Sequence, residues 1–204
     1  MKRCFLISIL AFLGLFTQLA KAQPDLHLNC YGFYYSDPNL KKILESNLGG
    51  FSDVHISTSA LGKTTGPAEI MIATETADTS LFPRGGDAEK ASVDVSRYDQ
   101  HLFCDMVEGV AILKVDTEGF EMDVLEGSRG WLGSAGQKFL LLETTFRKPE
   151  KAHPQLRHQT SFSRLYEFVA HFDFEFVGIY DPDFNGFNPP RPPLSYCNAL
   201  FYKA

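Results

Sequence analysis

The run Ile112-Leu113-Lys114-Val115-Asp116-Thr117-Glu118-Gly119-Phe120-Glu121 brings an apolar segment directly onto two carboxylates one residue apart, followed by a glycine and a helix start. An acid at the carboxyl end of a buried central strand points into the crevice beyond the sheet. Burial and neighbouring charges tune its proton affinity there. Such a group can take the proton from a hydroxyl that is to become a nucleophile, or it can stabilise a cation held beside it. Both roles stay open for Asp116. Glu118, together with Glu143 at the end of the apolar run 139–142, reads as an orienting or substrate-binding group. The plainer alternative is structural: Asp116 or Thr117 caps the helix, while Glu118 and Glu121 complement its dipole. Capping accounts for any one acid and not for the whole run.

Other clusters carry less. His153, His158 and Glu150 lie in a polar stretch without strand or helix periodicity, so no metal is expected there. Asp181-Pro182-Asp183 with Asn185-Gly186 has calcium-loop residue types but no flanking helices or closing glutamate, and reads as a turn. The four cysteines, Cys4, Cys30, Cys104 and Cys197, form no Cys-x-x-Cys pair. Cys30 and Cys197 read as small buried strand residues. Trp131 and Phe139 read as core or near-core, as does the row Phe162, Phe168, Phe172, Phe174 and Phe176. A net charge of −6 with scattered basic residues gives no face for nucleic acid.

The elements that must position these acids alternate. The 204 residues, 44% apolar and 22% charged, suffice for one α/β domain with a real core. Leu40, Ile43, Leu44 and Leu48 lie at helical spacing between the cap Asp37-Pro38 and the stop Gly49-Gly50. Strands are expected over 26–31, 53–57, 109–115, 139–142, 174–180 and 196–202, with an extended pair at 68–73 and 91–95. Residues 74–90 read as a loop. Helices follow Gly119 and run through Phe162, Leu165, Tyr166, Val169 and Phe172. This alternation predicts an α/β, Rossmann-like doubly wound, mostly parallel sheet. The proline-rich link before residue 196 predicts a terminal antiparallel hairpin.

The first 25 residues support two readings. Lys2-Arg3, the apolar run 4–16 and Ala20-Lys21-Ala22 have the form of a secretory signal peptide, too short to span a membrane, so no stable span is expected. Alternatively residues 5–10 are a buried strand, Gly14 ends a tight turn and residues 15–23 form a helix. The first implies export and the second a cytoplasmic protein.

The stretch 112–127 closely resembles the signature of the FkbM methyltransferase family, Leu-Lys-(Ile/Val)-Asp-x-Glu-Gly-x-Glu followed by x-x-Leu-x-Gly. Ser36-Asp37-Pro38-Asn39-Leu40 is similar to the family's second-strand exit. Ser59-Ala60-Leu61-Gly62 resembles its Ala-Leu-Gly segment, and Leu140-Leu141-Leu142-Glu143 its fifth strand. The resemblance implies a class I methyltransferase-like domain over 26–204 and S-adenosylmethionine as cofactor. It also implies O-methylation of a small hydroxylated or glycan acceptor. It places Gly14, Tyr34, Ser59, Ala60 and Asp116 at the cofactor, and Asp116, Glu118 and Glu143 at the chemistry. Two departures stand out. The family's Asp-x-Gly-Ala-Asn-x-Gly loop corresponds to Ser8-Ile9-Leu10-Ala11-Phe12-Leu13-Gly14, and its ribose-binding acid corresponds to Tyr34. They support an alternative, a catalytically inactive methyltransferase-like protein, which with a cleaved signal peptide would be an exported binding protein.

Overall fold

The structure, a computed structural model, describes residues 3–7, 28–34, 46, 54–57, 59–73, 88–100, 111–117, 119–146, 160–183 and 196–204. Its strands are β1 (Arg3–Ile7), β2 (Leu28–Tyr34), β3 (Val54–Ser57), β4 (Ala60–Leu61), β5 (Gly66–Ala73), β6 (Ala88–Ser96), β7 (Ala111–Val115), β8 (Lys138–Thr144), β9 (Glu175–Asp183) and β10 (Tyr196–Lys203). The described α-helices are α1 (Glu121–Glu126), α2 (Arg129–Gly133) and α3 (Phe162–Ala170), and a 3-10 turn covers Tyr98–Gln100.

A seven-stranded sheet has the order β3-β2-β1-β7-β8-β10-β9. The first five are parallel to their neighbours, whereas β10 inserts antiparallel between β8 and β9. The molecule is thus α/β with a mixed sheet, and the expected terminal hairpin is present as β9–β10. Parallel pairing sets Leu113 beside Leu140 and Val115 beside Leu142; antiparallel pairing sets Ala199 beside Leu142 and Phe201 beside Leu140. With a side-chain period of two, these six residues share one face of the sheet. All are essentially sealed from solvent, packed with Val124 and Leu125 of α1, Trp131 and Leu132 of α2, and Leu165 and Val169 of α3. Each large side chain so buried stabilises the fold by about 1.5–3 kcal/mol.

A second sheet, β4-β6-β5, holds the extended pair read from the sequence, with β5 and β6 antiparallel. The participation of Ala60-Leu61, parallel to Val95-Ser96, was not anticipated. Two residues are too few for any period to show.

Several boundaries differ from expectation. The strand read at 5–10 runs from Arg3 to Ile7. The helix after Gly119 starts at Glu121, leaving Phe120 outside it, and breaks at Gly127-Ser128 into α1 and α2. Phe172 follows α3 instead of lying in it. Asp181-Pro182-Asp183 is strand, not turn. Proline is tolerated there because β9 is the sheet's outer strand and needs no second set of N–H donors. Phe176 is 39% exposed and is not core. Apart from Ser46, which is helical, the expected helix across 37–49 lies outside the described residues, as does the turn at Gly14. Among the described residues no helix is long and apolar enough to cross a membrane.

Cys197 is fully buried in β10, as expected; the side chain of Cys30 lies outside the described residues. Burial first, and the nearby Glu143 carboxylate second, push the Cys197 thiol from its ordinary 9.0 up to about 11. The folded state therefore holds its proton where the unfolded chain releases it. That contribution to stability is intact below pH 9 and is lost as the pH rises from 9 to about 11. Urea melts across this window should show a falling stability, with a shallower fall in Cys197→Ala. Equal slopes in the two proteins would refute the assignment.

Candidate functional site

The parallel strands β3, β2, β1, β7 and β8 all end along one edge of the sheet, where open α/β sheets bind ligands. Val115 pairs with Leu142, and one step beyond that pair stand Asp116 and Glu143. Glu143 pairs in turn with Asn198 of β10. Three polar residues thus follow one another across three adjacent strands. Glu143 is buried, and Asn198 carries a buried Oδ1 that finds no hydrogen-bond donor among the described residues.

Lys114 lies two residues before Asp116, on the face opposite the helix-packed Leu113 and Val115. Its Nζ donates to Asp116 Oδ2 at 2.8 Å, with side-chain exposures of 3% for Lys114 and 22% for Asp116. The ammonium forms the inner end of the pair and the carboxylate the outer end, so the negative end is presented at the sheet edge. A charged pair this close is short and strong, and it fixes the carboxylate in place.

Neither Asp116 nor Thr117 caps α1, which has Phe120 at its N-cap position and no side-chain cap bond. Glu121 does more than complement a dipole. It is 1% exposed, and its Oε1 accepts from Thr117 N (3.2 Å), Thr117 Oγ1 (3.0 Å) and Gly119 N (2.9 Å). Its Oε2 accepts from Thr160 Oγ1 at 2.7 Å. Gly119 has φ +110°, a value that favours glycine and bends the chain sharply from β7 into α1. Thr160 is joined to the end of β8: its carbonyl accepts from Thr144 Oγ1 (2.8 Å) and Thr145 N (3.2 Å).

A second contact holds the 59–62 segment. Gly62 N donates to Ser96 O at 3.0 Å, and a Cβ at Gly127 would fall on the Gly62 carbonyl oxygen. Gly127 has φ −75°, which any residue adopts, so space and not conformation demands glycine there. Asp99 accepts from Gly130 N and Trp131 N, both at 3.0 Å, and so supplies the first turn of α2 with the partner its own cap lacks. Ala60 is buried; Ser59 N donates to Ser57 Oγ at 3.2 Å.

Among the expected site residues, Asp116 and Glu143 are brought together at adjacent strand ends. Tyr34 ends β2 beside Ser57, and Ser59 and Ala60 follow β3. Gly14 and Glu118 lie outside the described residues. Sequence reasoning missed Lys114, Glu121 as an acceptor, Thr160 and Asn198. The first two had signals: a residue two before Asp116 shares its strand face, and a glutamate just after a turn often reaches back to free N–H groups. Thr160 had none, because it meets Glu121 across 39 positions.

Over 99% of its length the fold resembles the crystal structure of methyltransferase FkbM from Methylobacillus flagellatus KT, with a TM-score of 0.55 and 13% identity, and covers 44% of that chain. Fainter likenesses are to LepI in complex with SAM (TM-score 0.44, 10% identity, 98% of this chain and 42% of that one) and to Aeropyrum pernix fibrillarin with natively bound S-adenosyl-L-methionine (TM-score 0.46, 10% identity, 97% and 66%). The chain spans less than half the length of the first two proteins. No curated protein matches it. The fold is that of a methyltransferase. Residues 25–176 match the methyltransferase FkbM domain, and the chain belongs to that family.

Proposed function

We propose that this chain is an S-adenosylmethionine-dependent methyltransferase domain that methylates a hydroxyl of a small-molecule or glycan acceptor. The observation that carries it is the placement of Asp116 and Glu143 side by side at adjacent parallel strand ends, in a chain of the FkbM methyltransferase family. In this reading the sheet is Rossmann-like and doubly wound, residues 26–204 form the methyltransferase domain, and β1 adds an interior strand to its sheet between β2 and β7. The residues suit a cationic cofactor: an outward carboxylate fixed by Lys114, a buried second carboxylate, and a buried Asn198 Oδ1 in want of a donor.

S-adenosylmethionine supplies an electrophilic methyl group on a sulfonium. Tyr34, Ser59 and Ala60, with Gly14, would bind the adenosine side. Asp116 would face the reacting centre. Its fixed carboxylate accepts a hydrogen bond or the proton from the acceptor hydroxyl, because an alcohol is a poor nucleophile while it keeps its proton. Glu143 and Glu118 orient the acceptor, and alignment of the two partners supplies much of the acceleration.

Calorimetric titration with S-adenosylmethionine and S-adenosylhomocysteine tests this directly. Binding with a Kd of about 100 µM or tighter is expected, and no heat up to about 1 mM of either ligand overturns the proposal.

A further inference from the structure

We infer that Glu121 is a positioning residue: through Thr160 it locks together the two strand ends that carry Asp116 and Glu143. This rests on the reading of that edge as the cofactor site. A carboxylate buried as deeply as Glu121 must be satisfied by hydrogen bonds, and this one draws its donors from both strand exits. Its Oε1 gathers Thr117 N, Thr117 Oγ1 and Gly119 N, the polar groups on either side of Glu118 in the chain. Its Oε2 takes the Thr160 hydroxyl. Thr160 O in turn takes Thr144 Oγ1 and Thr145 N, immediately after Glu143, while Thr145 O takes Phe162 N at 2.9 Å.

The result is one continuous chain of hydrogen bonds from the β7 exit to the β8 exit, and Glu121 is its only carboxylate. Each half has a distinct job. The Oε1 half holds the backbone that turns at Gly119. The Oε2 half holds the spacing between the turn after β7 and the segment that returns beside β8. Four donors from two segments converge on the two oxygens of one side chain, which suits a joint that must not give. A ligand gripped by both strand ends is sensitive to that spacing, since a displacement of about 1 Å can lower a rate about 100-fold.

The test uses Glu121→Ala, Glu121→Gln and Thr160→Val, each held well below its melting temperature. Two readouts are taken: hydrogen exchange of the Thr117 and Gly119 amides in the ligand-free protein, and calorimetric affinity for S-adenosylhomocysteine. Glu121→Ala should speed exchange at both amides by about tenfold or more and weaken the ligand by about tenfold. Glu121→Gln, which keeps an acceptor oxygen, should recover a large part of both. Thr160→Val should leave the two amides protected yet weaken the ligand by about threefold. If exchange is unchanged in the Glu121 variants, or if it rises while affinity stays at the wild-type value, Glu121 is an ordinary buried acid and the inference falls. Should Glu121→Ala not fold, Thr160→Val decides: wild-type affinity in that variant overturns the link. A wild-type protein that binds neither ligand sinks the methyltransferase proposal instead, and the exchange measurement still shows whether Glu121 holds the turn.

Discussion

Gly127→Ala is expected to lower the unfolding free energy by about 3 kcal/mol, at the upper end of what overpacking does. In a chain of this size that lowers Tm by about 6–12 °C. The added methyl would lie on the carbonyl oxygen of Gly62, with the Arg97 Cα close behind. A flexible side chain could swing aside, but a backbone carbonyl cannot move without its strand. Gly62 follows β4 and is tied by its own N–H to Ser96, so the displacement passes into the 59–62 segment and the small sheet behind it. Backbone propensity predicts the opposite sign, because alanine is favoured over glycine in helices by about 1 kcal/mol. Gly133→Ala isolates the two effects. Gly133 ends α2, and its added Cβ would meet nothing closer than Phe172 Cδ1 at 3.8 Å. That variant is expected within about 0.5 kcal/mol of wild type or slightly above it. Urea melts of the two proteins settle the matter: equal stabilities would show that the Gly62–Gly127 approach does not govern this position.

The same contact shows what the sequence could and could not disclose. Gly127 closes the signature that begins at Leu113, so its importance was legible, but its partner Gly62 was not. The two meet only because the chain between them folds back through β5, β6 and the 3-10 turn. The central elements were legible for a local reason. The apolar runs that became β7 and β8 are continuous, as in strands covered on both faces, and the terminal hairpin was announced by prolines that forbid a helical crossover. Short elements escaped, as did the breaks. Ala60-Leu61 has no pattern of its own, and the division between α1 and α2 falls at Gly127-Ser128, inside a segment whose apolar residues suggest one continuous helix. In the site, Asp116 and Glu143 could be picked out because each ends an apolar run. Lys114 stands inside such a run, and its one signal is the spacing of two that puts it on the strand face of Asp116. The four bonds to Glu121 come from two segments, and only the near segment could be inferred from spacing.

The substitution expected to affect function most is Asp116→Asn. Asparagine has nearly the shape of aspartate, and its amide oxygen can still accept from Lys114 Nζ, so the geometry at the end of β7 is preserved while the negative charge is removed. If that charge acts on the acceptor hydroxyl as the methyl is transferred, its loss should slow the chemical step about 100-fold or more, the scale of a positioned proton acceptor. Ligand binding should change little, with the Kd of S-adenosylhomocysteine staying within about threefold of wild type, because an interaction made mainly in the transition state lowers rate without lowering ground-state affinity. Single-turnover transfer of a labelled methyl group to the best of a panel of hydroxylated acceptors measures the first quantity, and calorimetry the second. Comparing the two ligands separates the possible roles of the charge. S-adenosylhomocysteine lacks the sulfonium cation, so losing a carboxylate that acts on the cofactor would weaken the binding of S-adenosylmethionine alone. A carboxylate acting on the acceptor would leave both ligands bound as before. Equal losses in rate and in the binding of both ligands would mean that the Asp116→Asn substitution has merely disturbed the end of β7, and the role assigned to Asp116 would have to be given up.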